Sequence, residues 1–179
     1  MLFTSFKQLK ETGQAIKDTL ANEGITVLMQ TQNASRQQLT EQFKEENGRY
    51  VLLGTRSFWE GVDIAGDALQ AVIITKIPFD VPSDPIIGAR SETFENAFFE
   101  YSVPEAVLHF RQGFGRLIRR KTDSGVIVVL DKRVISKRYG EYFVSSLPEC
   151  TILRMRMDRL AEATERWIKH TDQLKAQQN

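Results

Sequence analysis

The chain has 179 residues, 41% hydrophobic and 26% charged, with a formal net charge of +1 and one cysteine. That is enough sequence for one domain with a self-sufficient core, and too few cysteines for a disulfide framework or a cysteine-rich metal or iron–sulfur site. No apolar run approaches membrane-span length and the first residues lack a signal-peptide pattern, so a soluble, cytoplasmic domain is expected over 1–179.

Apolar runs alternate with helical patterns. MLFTSF (1–6) reads as a first strand, and residues 7–22 as a helix carrying Leu9, Gly13, Ile16 and Leu20 near one face, with Gly24 as its stop. ITVLMQT (25–31) is a strand, residues 36–47 a polar helix capped by Ser35, and RYVLLGT (49–55) the next strand. LQAVIITKIPF (69–79) is a longer apolar run, followed by the proline-rich loop IPFDVPSDP (77–85). Helical patterns over 85–99 and 104–121 lead to the strand GVIVVLD (125–131). Residues 133–146 and 157–177 are helical, with a short strand CTILRM (150–155) between them. Continuous apolar strands separated by helices predict an α/β fold with a mainly parallel sheet buried on both faces. Ligands of such sheets sit at the carboxyl ends of the strands.

Charge is uneven. Residues 111–138 hold nine Lys/Arg and two Asp/Glu, which leaves 15 basic and 21 acidic residues elsewhere. A single concentrated basic segment suits a local anionic ligand better than general coating of nucleic acid.

Three segments could carry chemistry. GTRSFWEGVDIAGDAL (54–69) follows a strand and offers the hydroxyls of Thr55 and Ser57, close backbone approach at Gly61, and the carboxylates of Glu60 and Asp63. Hydroxyls and N–H groups at a strand end can grip a phosphate backbone. The same residues would also serve as a glycine-rich turn with Glu60 and Asp63 capping a short helix. In HFRQGFGRLIRRK (109–121), a continuous helix would put Gln112, Arg116 and Arg119 on one face, where guanidiniums fork onto phosphate oxygens. The competing reading is a solvated basic helix face, and Gly113 and Gly115 signal close packing or a local break. In LFTSF, Thr4 and Ser5 end a strand and enter a helix, where they could bind a DNA phosphate or simply cap the helix. Trp59 lies within the candidate phosphate loop, and Asp131 with Arg133 reads as an ion pair or a support for the arginine segment. No metal site is expected, because His109 and His170 are not at ligand spacing and no third ligand accompanies them in sequence. There is no G-x-x-x-x-G-K-[ST] loop, no paired Asp-Glu at a strand end, and no G-x-G-x-x-G fingerprint.

These motifs resemble a known family. GTRSFWEGVDIAGDAL resembles motif V and QGFGRLIRR motif VI of the DinG/XPD-like group of superfamily-two DNA helicases, in the family's order and spacing. LFTSF is similar to motif IV, and KIPFDVPSDP to the loop between motifs V and VI. The resemblance covers nearly the whole chain and implies a RecA-like three-layer α/β/α domain, the second lobe of a two-lobe motor. It implies that ATP and Mg²⁺ are bound mainly by a first lobe belonging to the same parent protein, and that this chain alone hydrolyses no ATP. Carried over, Arg119 is the arginine finger assisted by Arg116; Gln112, Glu60, Gly61 and Asp63 answer to nucleotide; and Thr4, Ser5, Thr55, Arg56, Ser57 and Trp59 line a single-stranded DNA track. Some relatives carry an exonuclease domain, so a regulatory lobe of a nuclease is the alternative within the family. A DNA-binding or docking module without motor function is the alternative outside it.

Overall fold

The structure is a computed structural model that describes residues 1–31, 35–55, 58, 64, 68–118 and 124–178. Chain order is α1 (Phe6–Asn22), β1 (Thr26–Met29), α2 (Arg36–Phe43), β2 (Tyr50–Leu53), β3 (Ala71–Ile74), α3 (Pro85–Ser91), a π-helical turn (Phe98–Ser102) and α4 (Val103–Phe114). Then come β4 (Val126–Val129), α5 (Arg133–Ser136), α6 (Gly140–Ser145), a 3₁₀ turn (Met157–Arg159) and α7 (Leu160–Gln178).

β1 pairs with β2 and β3 with β4, both in parallel. Leu2 joins the two pairs, bridging in parallel to Gly54 on one side and Ile74 on the other. Phe3 N–H donates to Gly54 O at 2.9 Å and Leu2 N–H to Ile73 O at 2.7 Å, so the ladder runs β1–β2–Leu2–β3–β4 without a gap. Of the expected 1–6 strand only Met1–Phe3 pair, around the single bridge residue Leu2, because Ser5 already caps α1.

Alternation along the strands feeds two cores. Val27, Met29, Val51, Leu53 and Phe3 pack with Leu9 and Ile16 of α1 on one face. Leu28, Leu52, Leu2, Val72, Ile74, Ile127 and Val129 pack on the other with Leu39 and Phe43 of α2, Val103, Ala106 and Phe110 of α4, and Phe143 of α6. Helices on both faces of a parallel sheet make the expected three layers. Edge-to-face rings tie the second core together: Phe110 meets Phe143 at 5.4 Å and Phe79 meets Phe143 at 6.0 Å.

The helix ends follow local chemistry. Gly24, at φ 68°, takes the left-handed position just past α1, as its place in the sequence predicts. At the other end Ser5 is extended and accepts the Gln8 N–H at 3.5 Å. Ser5→Ala is expected to lower the unfolding free energy by about 0.5–1 kcal/mol in a denaturant titration, whereas Ser5→Asp keeps the cap and the stability.

Four expectations are corrected. The 85–99 pattern is a helix only over Pro85–Ser91, followed by turns and the π-helical turn Phe98–Ser102. The 104–121 helix ends at Phe114: Gly115 N–H closes back on Arg111 O at 2.8 Å and Arg116 N–H on Gly113 O at 3.2 Å. The paired glycines mark a break, since each costs about 1 kcal/mol against alanine inside a helix. The 133–146 pattern is two short helices, because Lys137 is extended between them. CTILRM is no strand; it is irregular backbone with Ile152 49% and Leu153 64% exposed. A strand requires a ladder partner, and among the described residues none lies beside it.

Candidate functional site

Parallel strands end together, so the sheet has one carboxyl edge. Gln30 follows β1, Gly54 and Thr55 follow β2, Thr4 and Ser5 follow the Leu2 segment, Thr75 follows β3, and Asp131 stands just beyond β4. This edge gathers every described hydroxyl that the sequence nominates. Thr4 is exposed, Ser5 is half-buried and Thr55 is buried at 8% exposure.

Thr55 is held firmly. Gln30 Oε1 accepts its backbone N–H at 2.7 Å and its hydroxyl at 2.9 Å, while its own carbonyl accepts the Phe58 N–H at 2.9 Å. The preceding Gly54 leaves space for Phe58: a Cβ there would lie 2.9 Å from the Phe58 Cβ and 2.5 Å from its ring. Phe58 is buried in the main core, so neither side can yield freely. Gly54→Ala is expected to cost about 1–3 kcal/mol of stability by thermal unfolding.

The arginine segment is arranged differently from the sequence expectation. Gln112 is exposed on α4, whereas Arg116 lies beyond the helix end and is half-buried. Arg116 lines a cavity of about 270 Å³ bounded by Leu2, Tyr50, Leu52, Phe58 and Val72. Because the helix stops at Phe114, Gln112 and Arg116 do not share a helical face. Arg119, Arg56, Ser57, Trp59, Glu60, Gly61 and Asp63 lie outside the described residues.

Asp131 and Arg133 form a compact ion pair. Arg133 donates to Asp131 Oδ2 at 2.6 Å through its terminal nitrogen, and to both carboxylate oxygens through Nε at 3.0 Å. Asp131 also accepts the backbone N–H of Ile77 and of Arg133, each at 3.0 Å. Burial pushes the Asp131 carboxyl up, but the Arg133 side chain and the two N–H donors outweigh it and hold the pKa below its ordinary value. Of the two readings from sequence, the structure displays the ion pair, and it ties the end of β4 to the loop after β3.

Sequence reasoning missed two features. The first is Gln30, whose distance from Thr55 in sequence hides their contact. The second surrounds His109, for which no companion ligand was expected. Donor atoms of Asp80, Glu105 and His109 lie within 4.8 Å of one another, and His109 Nε2 is 3.9 Å from Asp80 Oδ1. This donor set could hold a divalent cation. Glu105 and His109 stand one helical turn apart on α4, a legible spacing, but Asp80 arrives from the loop after β3.

Residues 1–150 match the helicase C-terminal domain family. The chain is 41% identical over 160 residues to the 3'-5' exonuclease DinG of Bacillus subtilis, covering 87% of this chain and 17% of that protein. It is 41% identical over 152 residues to the ATP-dependent DNA helicase YoaA of Escherichia coli, covering 83% and 23%. It is 37% identical over 172 residues to the ATP-dependent helicase DinG of Mycobacterium tuberculosis, covering 90% and 25%. The chain thus spans a quarter or less of the length of these relatives.

Proposed function

This chain belongs to the family of DinG-like helicase C-terminal domains, and on that footing we propose that it is the second motor lobe of an ATP-dependent DNA helicase. The observation that carries the reading is the shared carboxyl edge, where Thr4 and Ser5 stand beside Thr55 on the neighbouring strand. Hydroxyls and backbone N–H groups aligned along one edge suit successive phosphates of a strand and read no sequence. We assign Thr4, Ser5 and Thr55, with Arg56, Ser57 and Trp59, to a single-stranded DNA track.

ATP and Mg²⁺ would be held mainly by a first lobe of the same parent protein. In this chain Gln112, Glu60, Gly61 and Asp63 would respond to nucleotide, and Arg116 and Arg119 would face its phosphates. The described pair suits an anionic ligand chemically: an exposed amide on α4, and an arginine in the turn that the two glycines make. An arginine supplied across a cleft stabilises transition-state charge only on closure, which couples hydrolysis to movement. Alone, the chain is expected to hydrolyse no ATP.

A second reading has a specific basis, the exonuclease name of the Bacillus subtilis relative. There the lobe would regulate a nuclease rather than drive a motor. The deciding experiment measures DNA-stimulated ATP hydrolysis and strand separation by the intact parent. A motor shows both, each lost when nucleotide is withheld. Nucleotide binding with no strand separation favours the regulatory lobe and removes the motor.

A further inference from the structure

We propose that Gln30 is an internal stand-in for a phosphate oxygen, occupying the Thr55 site until single-stranded DNA displaces it. The proposal rests on the reading of Thr55 as a DNA contact and adds the residue that governs its availability.

Gln30 sits one residue past β1, and its backbone N–H donates to Leu53 O at 2.9 Å, extending the ladder to the sheet edge. From there its side chain crosses to the next strand end. Two donors of a single residue, the Thr55 N–H and the Thr55 hydroxyl, converge on one acceptor, Gln30 Oε1, at 2.7 and 2.9 Å. A backbone N–H and an adjacent hydroxyl meeting at one oxygen form the donor set that a non-bridging phosphodiester oxygen takes. The amide oxygen fills that position with a neutral acceptor of similar size.

The arrangement solves a burial problem. Thr55 is only 8% exposed, and donors left empty there would carry the desolvation penalty of unmade hydrogen bonds. Gln30 removes that penalty in the nucleic-acid-free chain. A phosphate oxygen carries negative charge and accepts the same two bonds more strongly than an amide does. The glutamine side chain rotates about several bonds, so it can withdraw without moving either strand. Binding at this position is then an exchange of acceptors, and its net gain is smaller than two fresh hydrogen bonds would provide.

The test uses the full 179-residue chain and a fluorescein-labelled oligothymidylate, followed by anisotropy at about 50 mM salt, where phosphate contacts are weakly screened. Gln30→Ala is expected to tighten binding by about 3- to 10-fold, the equivalent of one or two net hydrogen bonds. Thr55→Val removes the hydroxyl and keeps the backbone N–H, so it is expected to weaken binding by a similar factor, and adding Gln30→Ala to it should tighten binding less than Gln30→Ala does in the wild-type chain, because only one of the two donors is left to be freed. Gln30→Glu keeps both bonds, holds them harder and repels phosphate, so it should bind more weakly at an unchanged melting temperature. That variant carries the test if Gln30→Ala fails to fold. Binding by Gln30→Glu equal to wild type, or by a folded Gln30→Ala equal to or weaker than wild type, overturns the stand-in and leaves Gln30 a structural support. Thr55→Val binding like wild type removes Thr55 from the DNA track and takes the proposal with it.

Discussion

Arg119→Ala in the intact parent protein is expected to lower DNA-stimulated ATP hydrolysis by roughly 10³-fold with single-stranded DNA affinity little changed. The helical pattern breaks within the segment GFGRLIRR. Gly113 is buried and Gly115 caps α4, so the backbone leaves the helix axis at Arg116 rather than continuing along it. Arg116, on this turn, is presented at the end of the helix and not along its flank. A guanidinium is always charged and presents a planar fork, which suits charge developing on transferring phosphoryl oxygens. Arg119→Lys keeps the charge but loses the fork, so it should restore only a small part of the rate. Arg116→Ala should have a smaller effect, because Arg116 is half-buried against the apolar cavity. Turnover unchanged by Arg119→Ala would return these arginines to a solvated surface and favour a binding module.

Asp131→Ala is expected to lower the unfolding free energy by about 2–3 kcal/mol, the second large effect. The carboxylate is 7% exposed and serves four donors: two on the Arg133 side chain and the N–H groups of Ile77 and Arg133. Removing it strands the Ile77 N–H in a residue that is 2% exposed, and a buried donor without an acceptor costs about 1–3 kcal/mol. The ion pair adds less than a fully buried one would, because the Arg133 side chain is 38% exposed and solvent screens it. Acid should reproduce the loss. The folded pKa lies below the ordinary carboxylate value of 3.8, so the stabilisation is complete above that value and disappears as pH falls through the lower folded one. The stability gap between wild type and Asp131→Asn, measured by urea titration, should therefore be constant near neutrality and narrow in strong acid. A gap that persists at the lowest pH would mean that the carboxylate charge contributes nothing. The consequence extends to the site, since Ile77 leads the loop through Phe79 and Asp80 to His109.

Much of this architecture is legible without coordinates. The runs ITVLM, YVLL, AVII and VIVV are apolar on consecutive residues, which only a strand covered on both faces requires. Ser5 and Gly24 bracket α1 through chemistry local to a few residues, and such signals survive in any tertiary context. The order of the three motif-bearing segments likewise follows from the chain alone, and with it the family. Legibility fails where the deciding partner is remote. CTILRM has strand composition, yet composition cannot supply a neighbouring ladder. The 104–121 pattern has helical periodicity, but the packing of Leu117 and Ile118 against the main core favours a turn at Gly115 over another turn of helix.

By itself, then, the sequence determined the α/β class, the buried parallel strands and the two ends of α1, because these depend on residue type and near-neighbour spacing. The tertiary structure alone decided that Leu2 is the central link of the sheet, that Gln30 takes the Thr55 donors, that Asp131 anchors Ile77, and that Asp80 and Glu105 meet at His109. Each of these is a contact between residues far apart in the chain, except for Glu105 and His109 on α4. Parallel pairing creates such contacts by ending every strand at one edge, and no local pattern in the sequence records which strand end lies beside which.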